Sequence, residues 1–143
     1  MFQGKSSITL DPKGRMSLPV KHRAAFVEPE GSFLTMTRHP DGCLMVFPRS
    51  AWIVRRQALL QLPMSAIGMK RMFVGNATDI EIDDSGRILI PAELRKPVGL
   101  EKLAVLMGMG DHLELWDEAA ITKMESDTAA AGVPESIANS IFL

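Results

Sequence analysis

Ile8-Thr9-Leu10-Asp11-Pro12-Lys13-Gly14-Arg15-Met16-Ser17-Leu18-Pro19 returns 72 residues later, without a gap, as Ile80-Glu81-Ile82-Asp83-Asp84-Ser85-Gly86-Arg87-Ile88-Leu89-Ile90-Pro91. Identities fall at Ile8/Ile80, Asp11/Asp83, Gly14/Gly86, Arg15/Arg87 and Pro19/Pro91, and apolar residues match at Leu10/Ile82, Met16/Ile88 and Leu18/Ile90. The next basic residue also repeats, Arg23 with Arg95. Further on, Cys43-Leu44-Met45-Val46-Phe47 resembles His112-Leu113-Glu114-Leu115-Trp116 at an offset of 69. Two matches in the same order are the mark of a duplicated structural unit.

Within each copy, apolar and polar residues alternate through Ile8–Leu10 and Ile80–Ile82, as a half-buried strand requires. Met16–Leu18 and Ile88–Ile90 read as returning strands. Pro12-Lys13-Gly14 and Asp84-Ser85-Gly86 supply turn chemistry between them, so each motif is expected to be a β-hairpin. Pro19 and Pro91 suit the first turn of short helices over Val20–Phe26 and Ala92–Lys96. Two more strands follow in each copy, Phe33–Thr37 with Cys43–Phe47 and Leu103–Met107 with His112–Trp116. A helix closes each copy: the first carries Trp52, Leu59 and Leu60 and stops at Pro63. Asp117 is the expected N-cap of the second, ahead of Ala119, Ile121 and Met124.

Met64–Val74 reads as a linking helix whose Met69, Met72 and Phe73 are expected to pack in the core. The predicted architecture is α+β: a first unit over 1–63, a linking helix over 64–75, a second unit over 76–124 and a tail over 125–143. In the tail, Ile137, Ile141 and Phe142 are candidates for docking on the body or on a neighbouring molecule.

The chain's 143 residues are 46% hydrophobic and 23% charged, enough apolar material for a core without covalent staples. The single cysteine, Cys43, precludes an intrachain disulfide and fits a reducing cytoplasm. There is no secretory signal pattern and no apolar run long enough for a membrane helix. The net charge of −1 conceals a gradient. Residues 1–100 hold 14 Lys/Arg and 9 Asp/Glu, whereas residues 101–143 hold 2 and 8. The first 25 residues set Lys5, Lys13, Arg15, Lys21 and Arg23 against Asp11 alone, and phosphate contact needs such local charge rather than a basic average.

A surface Asp–Arg pair on one hairpin would be an ordinary ion pair contributing about 0–1 kcal/mol. Two equivalent arginines on two related hairpins suggest more. Arg can bond guanine O6 and N7 bidentately, and a two-stranded ribbon fits the major groove. Asp11 and Asp83 could orient the guanidinium forks.

The opening Met1-Phe2-Gln3-Gly4, the two Asp-x-x-x-Arg motifs and the closing Leu113-Glu114-Leu115-Trp116-Asp117 resemble the MraZ family of the AbrB-like, swapped-hairpin superfamily, over about residues 1–125. The resemblance implies two tandem AbrB-like halves forming a pseudo-dimer within one chain, and chains assembling into a ring homo-oligomer. It implies a cytoplasmic, nucleoid-associated regulator that binds G-rich direct repeats in double-stranded DNA. The target lies upstream of an operon of cell-division and cell-wall genes that includes the regulator's own. By position, the resemblance assigns DNA contact to Arg15 and Arg87, with Asp11, Gly14, Asp83 and Gly86 supporting the motifs. Lys13 adds a phosphate contact; its counterpart Ser85 is neutral and next to acidic Asp84. Lys21 and Arg23 extend the basic surface.

Three other readings compete. In an enzyme, His39, Asp41 and Cys43 would be the reactive group, but their spacing matches no zinc motif and His39-Pro40-Asp41-Gly42 reads as a turn. His22 and His112 are isolated packing or surface residues. No cofactor, metal, small-molecule substrate or catalytic residue is expected. A purely structural or protein-binding ring would not need Arg at both motifs. An AbrB-like antitoxin would use the 125–143 tail against a toxin, but such antitoxins usually carry one copy per chain.

Overall fold

The computed structural model describes residues 1–141. Its first half runs β1 (Lys5–Thr9), β2 (Arg15–Ser17), α1 (Val20–Arg23), β3 (Val27–Glu28), β4 (Gly31–His39), β5 (Cys43–Pro48) and α2 (Arg49–Leu60). After α3 (Ile67–Phe73) the second half runs β6 (Thr78–Ile82), β7 (Arg87–Leu89), α4 (Ala92–Arg95), β8 (Leu103–Gly108), β9 (Leu113–Asp117), α5 (Glu118–Ala131) and α6 (Glu135–Ile141). The chain is thus mixed α+β, and all its strand pairings are antiparallel.

Seven strands make one sheet: β1-β8-β9-β5-β4 run in order, β6 pairs with β4 on the edge away from β5, and β3 pairs with the start of β4 on the β5 side. The two remaining strands, β2 and β7, pair with each other as a separate ribbon. The main core joins ribbon and sheet: Met16, Leu18, Ile88 and Ile90 share one buried cluster with Leu34, Met36, Leu44, Val46, Leu106, Leu113 and Leu115. Fully burying each such side chain is worth about 1.5–3 kcal/mol. The central strand β5 is buried on both faces, which is why its sequence is continuously apolar rather than alternating. Leu44 and Val46 face the main core. Met45 and Phe47 pack with Trp52 of α2, and Cys43 packs with Trp116 and Ile121 of α5. Asp117 caps α5 as expected, accepting the Ala120 amide at 3.0 Å.

The simple hairpin expected for each motif is corrected. The turns form, closed by Gly14 N–H to Asp11 C=O and Gly86 N–H to Asp83 C=O, both at 2.9 Å. Past two backbone bonds at each turn, the second from the Asp11 or Asp83 amide to the Arg15 or Arg87 carbonyl at 3.0 Å, the arms part. β1 lies on β8, pairing Lys5 with Met107 through Thr9 with Leu103, and β6 lies on β4, pairing Ser32 with Ile82 through Met36 with Thr78. Each half therefore gives its first strand to the other half's sheet. An isolated two-stranded hairpin buries too little to be stable, whereas the crossed arrangement seals both returning strands into the common core.

Three smaller expectations also change. The helices after Pro19 and Pro91 are single α turns that tighten into 3-10 turns at Ala24–Phe26 and Lys96–Val98. The linking helix begins as a 3-10 turn at Met64–Ala66, and neither part buries a residue. Met69 is 40% exposed, so the methionines are not core, although Phe73 packs partly against Phe47 and Trp52. The closing helix α5 continues to Ala131. Ile137 and Ile141 of α6 are exposed and do not dock on the body of the chain, and Phe142 lies outside the described residues.

Candidate nucleic-acid interface

The ribbon registers Arg15 opposite Leu89, Met16 opposite Ile88 and Ser17 opposite Arg87. Alternation buries Met16 and Ile88 and leaves Arg15, Ser17, Arg87 and Leu89 exposed. Arg15 and Arg87 are consequently diagonal neighbours on one face of a two-stranded ribbon, roughly 7–8 Å apart at the backbone. The sequence places them 72 residues apart, and only the crossing of β2 and β7 makes them one surface.

Each loop is stitched to the opposite repeat. Leu18 donates its amide to the Gly86 carbonyl at 2.8 Å, and Ile90 donates to the Gly14 carbonyl at 2.9 Å. Both glycines are buried and lie in the left-handed region, Gly14 at φ 89° and Gly86 at φ 80°. Only glycine adopts that conformation without steric penalty.

Asp11 and Asp83 organise their turns in the same way through backbone. Asp11 Oδ1 accepts the amides of Lys13 and Arg15, each at 2.9 Å, and Asp83 Oδ1 accepts those of Ser85 and Arg87 at the same distance. The loops differ in the side chains. Arg15 Nε donates to Asp11 Oδ2 at 2.7 Å, whereas among the described residues Asp83 takes only backbone donors. The Arg15 amide and guanidinium draw the Asp11 carboxyl down from 3.8 to about 2. The Asp11 contact uses Nε and neither of the two terminal Nη groups of Arg15, the pair that end-on bonding to two acceptors requires.

The flanks differ in charge. The cleft beside the first loop, about 720 Å³, brings Arg95, Lys96 and Lys102 together with Asp11 and Glu101. The matching cleft beside the second, about 460 Å³, has Arg23 with Glu81, Asp83 and Asp84. Lys13 is exposed at the tip of the first loop, and exposed Ser85 stands in its place on the second. Lys21 lines a shallow cleft with Met1, Gln3 and Gly4. Arg23 is half-buried, its Nε donating to the Leu18 carbonyl at 2.8 Å, and Arg95 repeats that contact on the Ile90 carbonyl. Sequence reading passed over Arg95, Ser17 and Leu89; the recurrence of Arg23 as Arg95 was the available signal for the first.

The histidines and cysteine are occupied elsewhere. Desolvation, reinforced by the acids Glu114 and Asp41, pushes the Cys43 thiol far above its usual range, the opposite of what a nucleophile needs. His39 Nδ1 accepts the Asp41 amide at 3.0 Å within its turn. His22 packs edge-on to Phe2, and His112 stacks on Phe47 while contacting Asp111 at 2.7 Å. Among the described residues no three His, Cys, Asp or Glu side chains cluster to hold a metal, and no helix is long and apolar enough to cross a membrane.

A family model described as "MraZ protein, putative antitoxin-like" matches residues 1–70 and 72–139. The chain is similar to proteins named transcriptional regulator MraZ, a name that denotes a regulator and not an enzyme. The one from Acidovorax sp. strain JS42 is 53% identical over 135 residues, covering 94% of this chain and 95% of that protein. That from Bordetella pertussis is 48% identical over the same shares of both chains. That from Burkholderia mallei strain SAVP1 is 49% identical over 142 residues, 99% of this chain and 100% of the relative. With the motif pair, the mixed fold and whole-chain similarity in agreement, the chain belongs to the MraZ family.

Proposed function

We propose that this protein is a transcription regulator that reads double-stranded DNA with the β2·β7 ribbon. The observation that carries the reading is the presence of Arg15 and Arg87 as diagonal neighbours on one exposed ribbon face. Such a ribbon fits the major groove, and each Arg can bond guanine O6 and N7. Lys13 at the loop tip contacts phosphate and adds affinity without sequence information. Arg15 dominates because Asp11 already holds its side chain and its flank is the more basic, whereas the second loop carries Asp84 and Ser85.

The exchanged strands support an AbrB-like swapped-hairpin pseudo-dimer, with units over 1–63 and 76–124 joined through 64–75 and followed by the 125–143 tail. Assembly of such chains into a ring homo-oligomer would offer many ribbons to successive G-rich repeats, and modest single contacts would combine through high effective concentration. The regulated genes in this proposal are a cell-division and cell-wall operon that includes the protein's own gene, with the regulator in the cytoplasm at the nucleoid. Lys21 and Arg23 add to the basic surface in this reading.

Fluorescence anisotropy tests the proposal, using a labelled duplex from upstream of the protein's own gene and a scrambled duplex at one fixed salt concentration. Wild type should prefer the native duplex, and Arg15→Ala should weaken that binding by about 1–3 kcal/mol per engaged loop. Equal binding to both duplexes, or none, would remove the DNA-reading role. The antitoxin reading is favoured by the exposed Ile137 and Ile141 on α6, and it would gain if residues 125–143 proved dispensable for DNA binding but necessary for holding a protein partner.

A further inference from the structure

We propose that Arg23 and Arg95 are positioning residues that brace the reading loops, each acting on the loop of the opposite repeat. The inference rests on the DNA-reading role of Arg15 and Arg87, but its geometry stands by itself. Arg95 Nε donates to the Ile90 carbonyl at 2.8 Å, and Ile90 in turn donates its amide to the Gly14 carbonyl at 2.9 Å. The same guanidinium covers the open side of Gly14. A Cβ built there would lie 2.1 Å from Arg95 Nε and 2.6 Å from its Cζ. The Gly14 peptide is therefore held on one edge by a strand amide and covered on its Cα by a flat cation fixed to that same strand.

The second loop repeats the device with the halves exchanged. Arg23 Nε donates to the Leu18 carbonyl and Leu18 donates to the Gly86 carbonyl, both at 2.8 Å. A Cβ on Gly86 would lie 2.3 Å from Arg23 Nε and Cζ. These contacts explain why the residue before each reading arginine has no side chain: the space belongs to the brace. Gly14 and Gly86 immediately precede Arg15 and Arg87, so a shift of the glycine peptide swings the reading side chain.

The brace needs a planar group with a donor at Nε, which lysine lacks. Holding a binding loop in its bound shape beforehand raises affinity by removing the ordering cost. A phosphate-contacting role for the same arginines would make a different prediction, because charge alone would then matter and lysine would serve.

The test is amide hydrogen exchange on the full chain, paired with duplex binding across a salt series, for wild type, Arg95→Ala, Arg95→Lys, Arg23→Ala and Arg23→Lys. Arg15→Ala is the reference. Arg95→Ala should speed exchange at Lys13, Gly14 and Arg15 by about 10-fold while leaving Ser85, Gly86 and Arg87 within about 2-fold. Arg23→Ala should do the reverse. Arg95→Ala should also weaken the native duplex by roughly 10-fold with an unchanged salt slope, and Arg95→Lys should not rescue it. The lysine variants keep length and charge and carry the same exchange measurement if truncation unfolds the chain.

Uniform loosening, or loosening confined to the mutated residue's own repeat, would overturn the brace. So would rescue by lysine together with a salt slope reduced by about 1 in Arg95→Ala, which is the signature of a phosphate contact. If Arg15→Ala bound like wild type, the DNA-reading role would fail, and the crossed exchange pattern would still decide whether the brace exists.

Discussion

Asp11 grips Arg15 at both ends, accepting its amide on Oδ1 at 2.9 Å and its Nε on Oδ2 at 2.7 Å. Asp83 accepts the Arg87 amide at 2.9 Å and leaves the guanidinium alone. In the proposed DNA-reading role, the two arginine side chains are therefore not equivalent before binding. Arg15 has already lost part of the rotamer freedom that Arg87 must still give up.

Arg15→Ala should accordingly weaken duplex binding more than Arg87→Ala, by roughly 1 kcal/mol, the ordering cost of one long side chain. Anisotropy titrations of the two single variants against one duplex check this. Equal losses would mean that the Asp11 contact does not pre-order Arg15 in solution.

Asp11→Asn keeps an acceptor for the Lys13 and Arg15 amides but discards the charge facing Nε. Its thermal midpoint should stay near wild type, as expected for an exposed pair. Its duplex affinity should fall toward that of a chain with an unanchored Arg15. A collapse in thermal stability would show that the turn itself depends on the carboxylate charge.

The pH dependence follows from the same contact. Asp11 titrates at about 2 in the fold against 3.8 for a free side chain. A depressed carboxyl stabilises the loop fully above the unfolded value, and that contribution disappears as pH falls through the folded one. The Gly14 and Arg15 amide shifts should therefore be flat from about pH 8 to pH 5 and move only below about pH 4. Carboxyl-detected NMR on Asp11 gives the midpoint directly, and a midpoint at or above 3.8 would contradict the bonded geometry.

Because β1 pairs with β8 and β6 with β4, neither half holds its own sheet together. Residues 1–63 expressed alone should not yield a folded monomer. The repeat allows β1 of one copy to lie on β4 of another, so the fragment should fold only as a dimer, or when mixed with residues 76–141. Light scattering and far-UV circular dichroism over a dilution series distinguish these outcomes; a concentration-independent folded monomer would be incompatible with the exchange.

On the face of the sheet away from the main core, Asp117→Ala removes the acceptor for the Ala120 amide and should cost about 1 kcal/mol in urea denaturation, the usual worth of an N-cap. DNA binding should not change, because α5 packs on Trp116 and Cys43, on the opposite side of β5 from the main core.

Much of this was legible in residue order. The duplicated Asp-x-x-x-Arg stretch revealed two related units, turn chemistry marked both loops, and Asp117 announced its helix. The partner of β2 was not legible: Met16-Ser17-Leu18 alternates equally well on any strand, and local pattern does not say that Ile88 lies opposite Met16. The brace was missed for the same reason. Arg23 and Arg95 recur visibly, yet a basic residue four positions after a proline looks like surface until the crossing lays it on the other repeat's glycine. The α3 methionines misled because helical spacing shows which residues share a face, not whether anything covers it.

The exchange of β1 also sets a timetable for synthesis. β1 leaves the ribosome long before its edge partner β8 is made. Residues 5–9 must wait as unpaired chain until residues 103–107 are translated, and pairing so distant in sequence is intrinsically slow. That interval leaves Ile8 and Leu10 uncovered and open to a nascent neighbour on the same message. Lys5, Ser6, Ser7 and Thr9, the polar residues around them, therefore guard a strand that has no partner yet.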